Sequence, residues 1–188
     1  VGSDIETTLP FFNFQETYLR FGVNPGFYGD SWDFEPSEFR IPSRFLLIKR
    51  PSQKLTWVAG IGVYPDFENE VLPILGFIYK PNEKWIFSIV PKRPNISYFC
   101  SKKLTLFIKA GSSINSEFEV SRGNSKNVAF SYKEKHLGAG ASYAFSRHCE
   151  LFLSVGEMFG RVLQYRDGEG KVAIKNGIFT ELRFQVKL

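Results

Sequence analysis

The closing stretch from Gly177 to Leu188 limits the possible folds more than any other part of the chain. Ile178, Thr180, Leu182, Phe184, Val186 and Leu188 alternate with Phe179, Glu181, Arg183, Gln185 and Lys187. Side chains on a strand point to opposite faces with a period of two, so one face here is almost wholly apolar and the other carries both signs of charge. A soluble sheet satisfies such a pattern by packing the apolar face on a core. A transmembrane barrel satisfies it by turning that face to lipid.

From Arg44 onward the pattern repeats as apolar strand, short polar turn, apolar strand. The turns Pro51-Ser52-Gln53-Lys54, Pro81-Asn82-Glu83-Lys84, Ser101-Lys102-Lys103 and Ser146-Arg147-His148 read as four tight hairpins. After them Leu55, Trp57, Ala59, Ile61 and Val63 share one parity, as do Leu104, Leu106, Ile108 and Ala110, and Leu137, Ala139, Ala141, Tyr143 and Phe145. Cys149 to Arg166 keeps one parity through Leu151, Leu153, Val155, Phe159, Leu163 and Tyr165, with Glu157 and Arg161 as exceptions. With Val172 to Leu188 it forms a long hairpin around Asp167-Gly168-Glu169-Gly170. Arms of this length exceed the 9 to 11 or so residues of a tilted membrane strand and would project past a bilayer. The sequence therefore predicts a single all-β domain over 1–188, an antiparallel up-and-down transmembrane β-barrel of about twelve strands. In it, 1–43 supplies one strand within Thr7 to Gly22 and a long packed loop, and 44–188 supplies the hairpin array. An even strand number is expected for such a barrel. The alternative is a soluble β-barrel or sandwich that binds an apolar ligand or a protein partner.

Composition suits the first reading, and it also suits an aromatic-rich β-sandwich. Aromatic residues make up 16% of the chain, with 20 Phe and 8 Tyr, yet the mean hydropathy is only −0.16. Lumen-facing residues and interfacial aromatic girdles together produce that combination. No uncharged apolar run reaches the 18 or so residues of a transmembrane helix. The net charge of +5 is scattered without a basic stripe, so no nucleic-acid partner is expected. The chain opens Val1-Gly2-Ser3-Asp4 with no basic start or apolar region, and a signal peptide, absent here, is expected to have been removed. Cys100 and Cys149 form no C-x-x-C pair, which leaves a disulfide or two thiols open and makes a zinc site unexpected.

Leu72-Pro73-Ile74-Leu75-Gly76-Phe77, Pro81-Asn82-Glu83-Lys84-Trp85, Pro91-Lys92-Arg93-Pro94 and Leu137-Gly138-Ala139-Gly140-Ala141-Ser142-Tyr143 resemble a bacterial family of unknown function with a predicted outer-membrane β-barrel. The resemblance runs from about Leu55 to Leu188. It implies architecture and an outer-membrane location, and brings no catalytic residues. The alternation up to the terminus also resembles the recognition signal of outer-membrane barrels, with Leu188 where that signal has Phe.

The expected lumen-facing residues are Lys103, Lys109, Glu117, Glu119, Lys133, Glu150, Glu181 and Arg183, whose mixed charge can tune a polar channel or pair across strands and close it. Inward Phe107 and Phe152 point to a narrow or plugged lumen. Leu182, Phe184 and Val186 are expected to face lipid. Asp66, Glu68 and Glu70, spaced by two, bring carboxylates together as a divalent cation would require, but solvated loop charges are the expected state, and no cofactor is expected. His136 and His148 read as solvated turn residues with no Ser-His-acid arrangement, so no enzyme is expected. Gly138-Ala139-Gly140 lacks the third glycine of a dinucleotide loop and reads as small lumen-facing residues. Asn95-Ile96-Ser97 reads as strand and not as a glycosylation site. The expected partners are membrane lipids and small solutes, with protein partners undetermined.

Overall fold

The computed structural model describes residues 2–11, 14–28, 36–65, 67, 69–91, 94–113, 116–122, 125–165 and 170–186, with the side chains of 37, 116–122 and 125–128 outside that description. Alternating sequence becomes strand throughout. In chain order the strands are β1 (Ile5–Pro10), β2 (Thr17–Val23), β3 (Gly26–Phe27), β4 (Phe39–Arg40), β5 (Ser43–Ser52), β6 (Leu55–Val63), β7 (Val71–Asn82) and β8 (Trp85–Ile89). They continue with β9 (Asn95–Phe99), β10 (Leu104–Ser112), β11 (Ser116–Arg122), β12 (Ser125–Ala144), β13 (Cys149–Tyr165), β14 (Lys171–Ile174) and β15 (Gly177–Val186). A 3-10 turn, Pro36–Glu38, precedes β4.

Thirteen of these strands form one antiparallel meander in the order β1-β2-β5-β6-β7-β8-β9-β10-β12-β13-β14. β11 continues β10 along β12, and β15 continues β14 along β13. The expected all-β, up-and-down sheet of about a dozen strands is therefore present. Among the described residues β1 does not pair with the β14/β15 edge, so the sheet has an open seam. Pairing of Ile5 with Val23 and of Val186 with Cys149 shows that β1 and β15 run in the same direction.

All four expected hairpins occur, and one kind of contact closes each. Ser52 Oγ accepts from the Lys54 amide (3.3 Å) and Asn82 Oδ1 from the Lys84 and Trp85 amides (2.9 and 3.1 Å). Ser101 Oγ accepts from Lys103 and Leu104 (3.2 and 3.0 Å), and Ser146 Oγ from His148 and Cys149 (3.2 and 3.1 Å). A short polar side chain thus satisfies turn amides that the ladder leaves unpaired. These turns gather at one end of the sheet, and the longer connections lie at the other.

Two local expectations are corrected. The stretch from Thr7 to Gly22 is not one strand but a hairpin of β1 and β2, closed beyond Pro10 by the Phe11 amide on the Thr17 carbonyl (2.9 Å) and turning where Glu16 takes φ +54°. The parity of β13 does not persist to Tyr165. Between Lys133↔Val162 and Lys135↔Phe159 the register slips by one residue, at Gly160 with φ +58°. This is a bulge built on a left-handed glycine. Beyond it Leu163 pairs with Tyr132 and lies on the face opposite Leu153 and Val155, which explains why Arg161 broke the pattern.

Burial is reversed across the sheet. On one face Leu19, Leu47, Leu75, Ile108, Leu137, Leu153, Ile178 and Leu182 are exposed. On the other, Ser142 and Ser154 are buried to 5% and 3% exposure. The serine and glycine face is concave. Lys109 on β10 meets Glu181 on β15 across β12 and β13, although flat strands would set those backbones about 14 Å apart. Gly138 and Gly156 lie between the two and leave room for the curl. The folded chain exposes 12804 Å², whereas a soluble monomer of 21.5 kDa exposes about 9200 Å².

Candidate functional site

The concave face of β9, β10, β12, β13 and β15 carries a cavity of about 700 Å³ whose lining includes Asn95, Phe107, Lys109, His136, Glu181 and Arg183. At its centre Glu181 accepts from Lys109 through Oε2 and from Arg183 Nη2 through Oε1 at 2.8 Å, and Ser154 Oγ donates to the same carboxylate at 3.4 Å. Each cation also lies over an aromatic ring, Lys109 Nζ 5.2 Å from the centre of Phe179 and the Arg183 guanidinium 5.0 Å from that of Phe152. Glycine makes room for these rings. A Cβ on Gly140 would sit 2.8 Å from Phe107, and one on Gly138 2.8 Å from Phe179. Strand alternation positions the side chains, and small residues on adjacent strands let the large ones lie across the concavity.

Of the eight residues expected to face inward, Lys109, Glu181 and Arg183 meet at this cluster. Glu150 shares their face and lies with Lys102, Lys103, Arg147 and His148 around a hollow at the short-turn end. Lys103 sits in its turn, exposed, and does not line a strand face. Lys133 departs from the expectation. It has the parity of Leu137 and Ala139 and lies on the convex face beyond the apolar residues. Glu117 and Glu119 lie on β11 opposite Ser131 and Ala129, with side chains outside the description. Leu182, Phe184 and Val186 are exposed on the convex face, at 70%, 60% and 55%. Asp66 and Glu68 lie outside the described residues, Glu70 is exposed, and among the described residues no three potential ligands gather to hold a metal. Cys100 and Cys149 are free thiols.

His148 is an exposed turn residue, as expected. His136 is not. It lies within β12, half-buried on the concave face, with Nδ1 3.9 Å from Glu134 Oε1 and its ring against Phe179. The sequence reads His136 as a solvated turn residue, but the ladder runs through its position from β10 to β13. Tyr132 Oη bonds Glu134 and accepts from Arg161 Nε at 3.0 Å, extending the same face past the bulge.

A second feature had no signal in the alternation, because it is built from loops. Phe67 is 1% exposed, with Tyr28 and Tyr64 at ring distances of 5.5 and 5.9 Å and the Arg40 guanidinium 4.8 Å above its ring. Arg40 and Glu38 are buried beside it. The Tyr28 amide donates to the Glu38 carbonyl and the Tyr64 amide to the Glu70 carbonyl. The Tyr64 ring folds over Gly62, so the cluster caps the concave side of β5 and β6 at the long-loop end. Burial raises the Tyr28 phenol above its ordinary pKa, opposed by Arg40.

A family model described as a domain of unknown function, DUF6268, matches residues 18–185, a span that begins well before Leu55 and ends three residues short of Leu188. No curated protein and no solved structure matches the chain.

Proposed function

The chain belongs to the DUF6268 family, and from that premise we propose that it is an integral outer-membrane β-barrel with lipid against its convex face and a narrow, charge-lined lumen on its concave face. It acts as a restricted channel or as a solute-binding or structural barrel, without a catalytic role. The reversal of burial carries this reading. In water, contiguous exposed apolar patches beyond a few hundred Å² are uncommon, whereas lipid rewards an outward apolar band. The positions of the aromatics support it. Trp57, Tyr79, Trp85, Tyr143 and Phe145 are exposed near the short-turn end, where a girdle at the bilayer interface belongs. From Leu137 to Phe145 the outward residues of β12 are apolar over a length that suits one tilted crossing. The seam is closed in the membrane, because unpaired strand groups in lipid cost several kcal/mol each. Direct pairing of β1 with β15 would be parallel, which departs from the even, wholly antiparallel barrel that the sequence predicts.

The test places labels on neighbouring residues, Phe184→Cys and Arg183→Cys, each in a Cys100→Ser, Cys149→Ser background because both native thiols are free, in protein reconstituted into bilayers. A fluorophore at 184 is expected to be quenched by membrane-embedded quenchers, and one at 183 to be protected. If neither senses lipid, or if the native protein is monodisperse in plain buffer, the soluble barrel or sandwich with an apolar ligand or protein partner replaces this reading. In planar bilayers the rings of Phe107, Phe152 and Phe179 and the Lys109–Glu181–Arg183 cluster predict low or no conductance. Large, constantly open steps would make it a general porin.

A further inference from the structure

The larger cavity of the concave face, about 1040 Å³, lies in the other half of the sheet, under β2, β5, β6 and β7, and its walls change character along the strands. Leu46 and Ile48 are followed on the same face of β5 by Arg50. Lys54 precedes Thr56 and the buried Val58 on β6, and Ile78 precedes Lys80 on β7. Three neighbouring inner stripes therefore turn from apolar to cationic at the same short-turn end. Val90 adds to the apolar wall and Tyr18 to the rim. Arg20 also lines the cavity, but Glu6 already engages it at 3.3 Å. Arg50 lies 5.7 Å over the Tyr18 ring. Among the described residues no carboxylate forms an ion pair with Arg50, Lys54 or Lys80, and Glu16 is the one acidic residue on the lining.

We propose that this cavity binds a single-chain amphiphilic anion, with its hydrocarbon chain along Leu46, Ile48, Val58, Ile78 and Val90 and its carboxylate or phosphate head against Arg50, Lys54 and Lys80. A wall of half-buried aliphatics disfavours a small hydrated anion, and three rim cations without carboxylate partners disfavour a neutral lipid. The volume lies at the upper end of ordinary ligand pockets. Arg and Lys donors to an ionised head group make the stronger class of hydrogen bond. This assignment concerns the inner face alone and does not depend on what covers the outer one.

Dodecanoate is the probe, titrated by equilibrium dialysis against the full chain in nanodiscs of zwitterionic lipid with empty nanodiscs as the blank, or in plain buffer with buffer as the blank if the labels at 183 and 184 sense no lipid. Saturable binding at one site is expected. Replacing all three cations (Arg50→Gln, Lys54→Gln, Lys80→Gln) should weaken it at least about tenfold, as loss of charge-assisted hydrogen bonds does, while circular dichroism keeps the strand signal. Dodecanol tests the head group without altering the protein, and should bind at least about tenfold more weakly than dodecanoate. Acetate and inorganic phosphate test the chain, and neither should displace dodecanoate at equal concentration. No saturable binding, equal binding of dodecanol, equal binding by the triple variant, or displacement by acetate or phosphate would each overturn the proposal. The membrane reading is tested separately by the labels at 183 and 184, so the two can fail independently.

Discussion

The loops around Phe67 and the sheet they cap follow opposite rules in one chain. In the loop cluster the ring is inside, enclosed by Tyr28, Tyr64 and the Arg40 guanidinium, as in any water-soluble core. In the sheet the convex face exposes apolar side chains to the outside, while the concave face sets buried serine and glycine and paired charges beside half-buried apolar residues such as Leu46, Ile48, Ile78 and Phe107. Pro42, Val58 and Phe67 are the buried apolar side chains among the described residues, so the sheet lacks the packed apolar interior that normally holds a soluble fold together. On the reading proposed above, what differs is the solvent each part is built for: a loop at a barrel mouth would meet water and bury its aromatics, whereas a strand that crosses lipid would be stabilised by exposing them.

The largest effect is expected at the conventional end of this comparison. Phe67→Ala removes the centre of the loop cluster, and truncating a buried Phe costs about 3 to 5 kcal/mol. The loss should remain local: hydrogen exchange at the Tyr28 and Tyr64 amides rises steeply while amides of β12 and β13 keep their protection. If sheet and cluster open together, they form one cooperative unit and the distinction between them fails.

The next effect tests the inverted end. Leu182→Arg puts a charge on the convex face and should cost about 2 to 4 kcal/mol near the bilayer midplane, and less toward an interface. Arg183→Leu, one residue away, should cost much less, since Glu181 retains Lys109 and Ser154. Both are measured against the parent by reversible folding into bilayers over one denaturant series. Equal costs would mean that the two faces of β15 see the same medium.

The sheet was legible in the sequence because a period of two is a local property. Four hairpins, the outward faces of β6, β10, β12 and β15, and the inward Lys109, Glu181 and Arg183 all follow from parity alone. Parity failed where one residue reset it, at Gly160, whose bulge moves Leu163 and Tyr165 to the other face; Lys133 was taken as inward from its charge, against its own parity with Leu137 and Ala139. His136 was misread as a turn residue although its neighbours Gly138 and Gly140 already belonged to a strand. The Phe67 cluster left no trace in the alternation, because Tyr28, Glu38, Arg40, Tyr64 and Phe67 meet only in three dimensions. The aromatics and prolines around them indicated packing without indicating what packs on what.

A smaller effect separates the faces by volume. Gly138→Val would bring a Cβ within 2.8 Å of the Phe179 ring and of the Val155 carbonyl, an overpacking that typically costs about 1 to 3 kcal/mol. The ring moves and Lys109 loses its contact with it. Ala139→Val, the next residue and on the convex face, adds a similar volume where nothing opposes it. Denaturant midpoints in bilayers should therefore fall for position 138 and hold for 139.

The smallest effect uses pH to report on the loop cluster. Burial holds the Tyr28 phenol above its ordinary pKa of 10.0, with Arg40 opposing. As pH rises through that ordinary value the unfolded chain gives up its proton first, so it binds fewer protons than the folded chain and stability falls. Below that range both states are neutral and the contribution is fully present. Tyr28→Phe removes the titration, together with a long hydrogen bond from the phenol to the Asn24 carbonyl at 3.5 Å. Thermal melting of the cluster, followed by near-ultraviolet circular dichroism from pH 8 to about pH 11, should fall more steeply for the parent than for the variant. Parallel curves would mean that the phenol stays in contact with water and that the cluster around Phe67 is more open than an ordinary core, which brings loops and sheet closer together than the burial pattern implies.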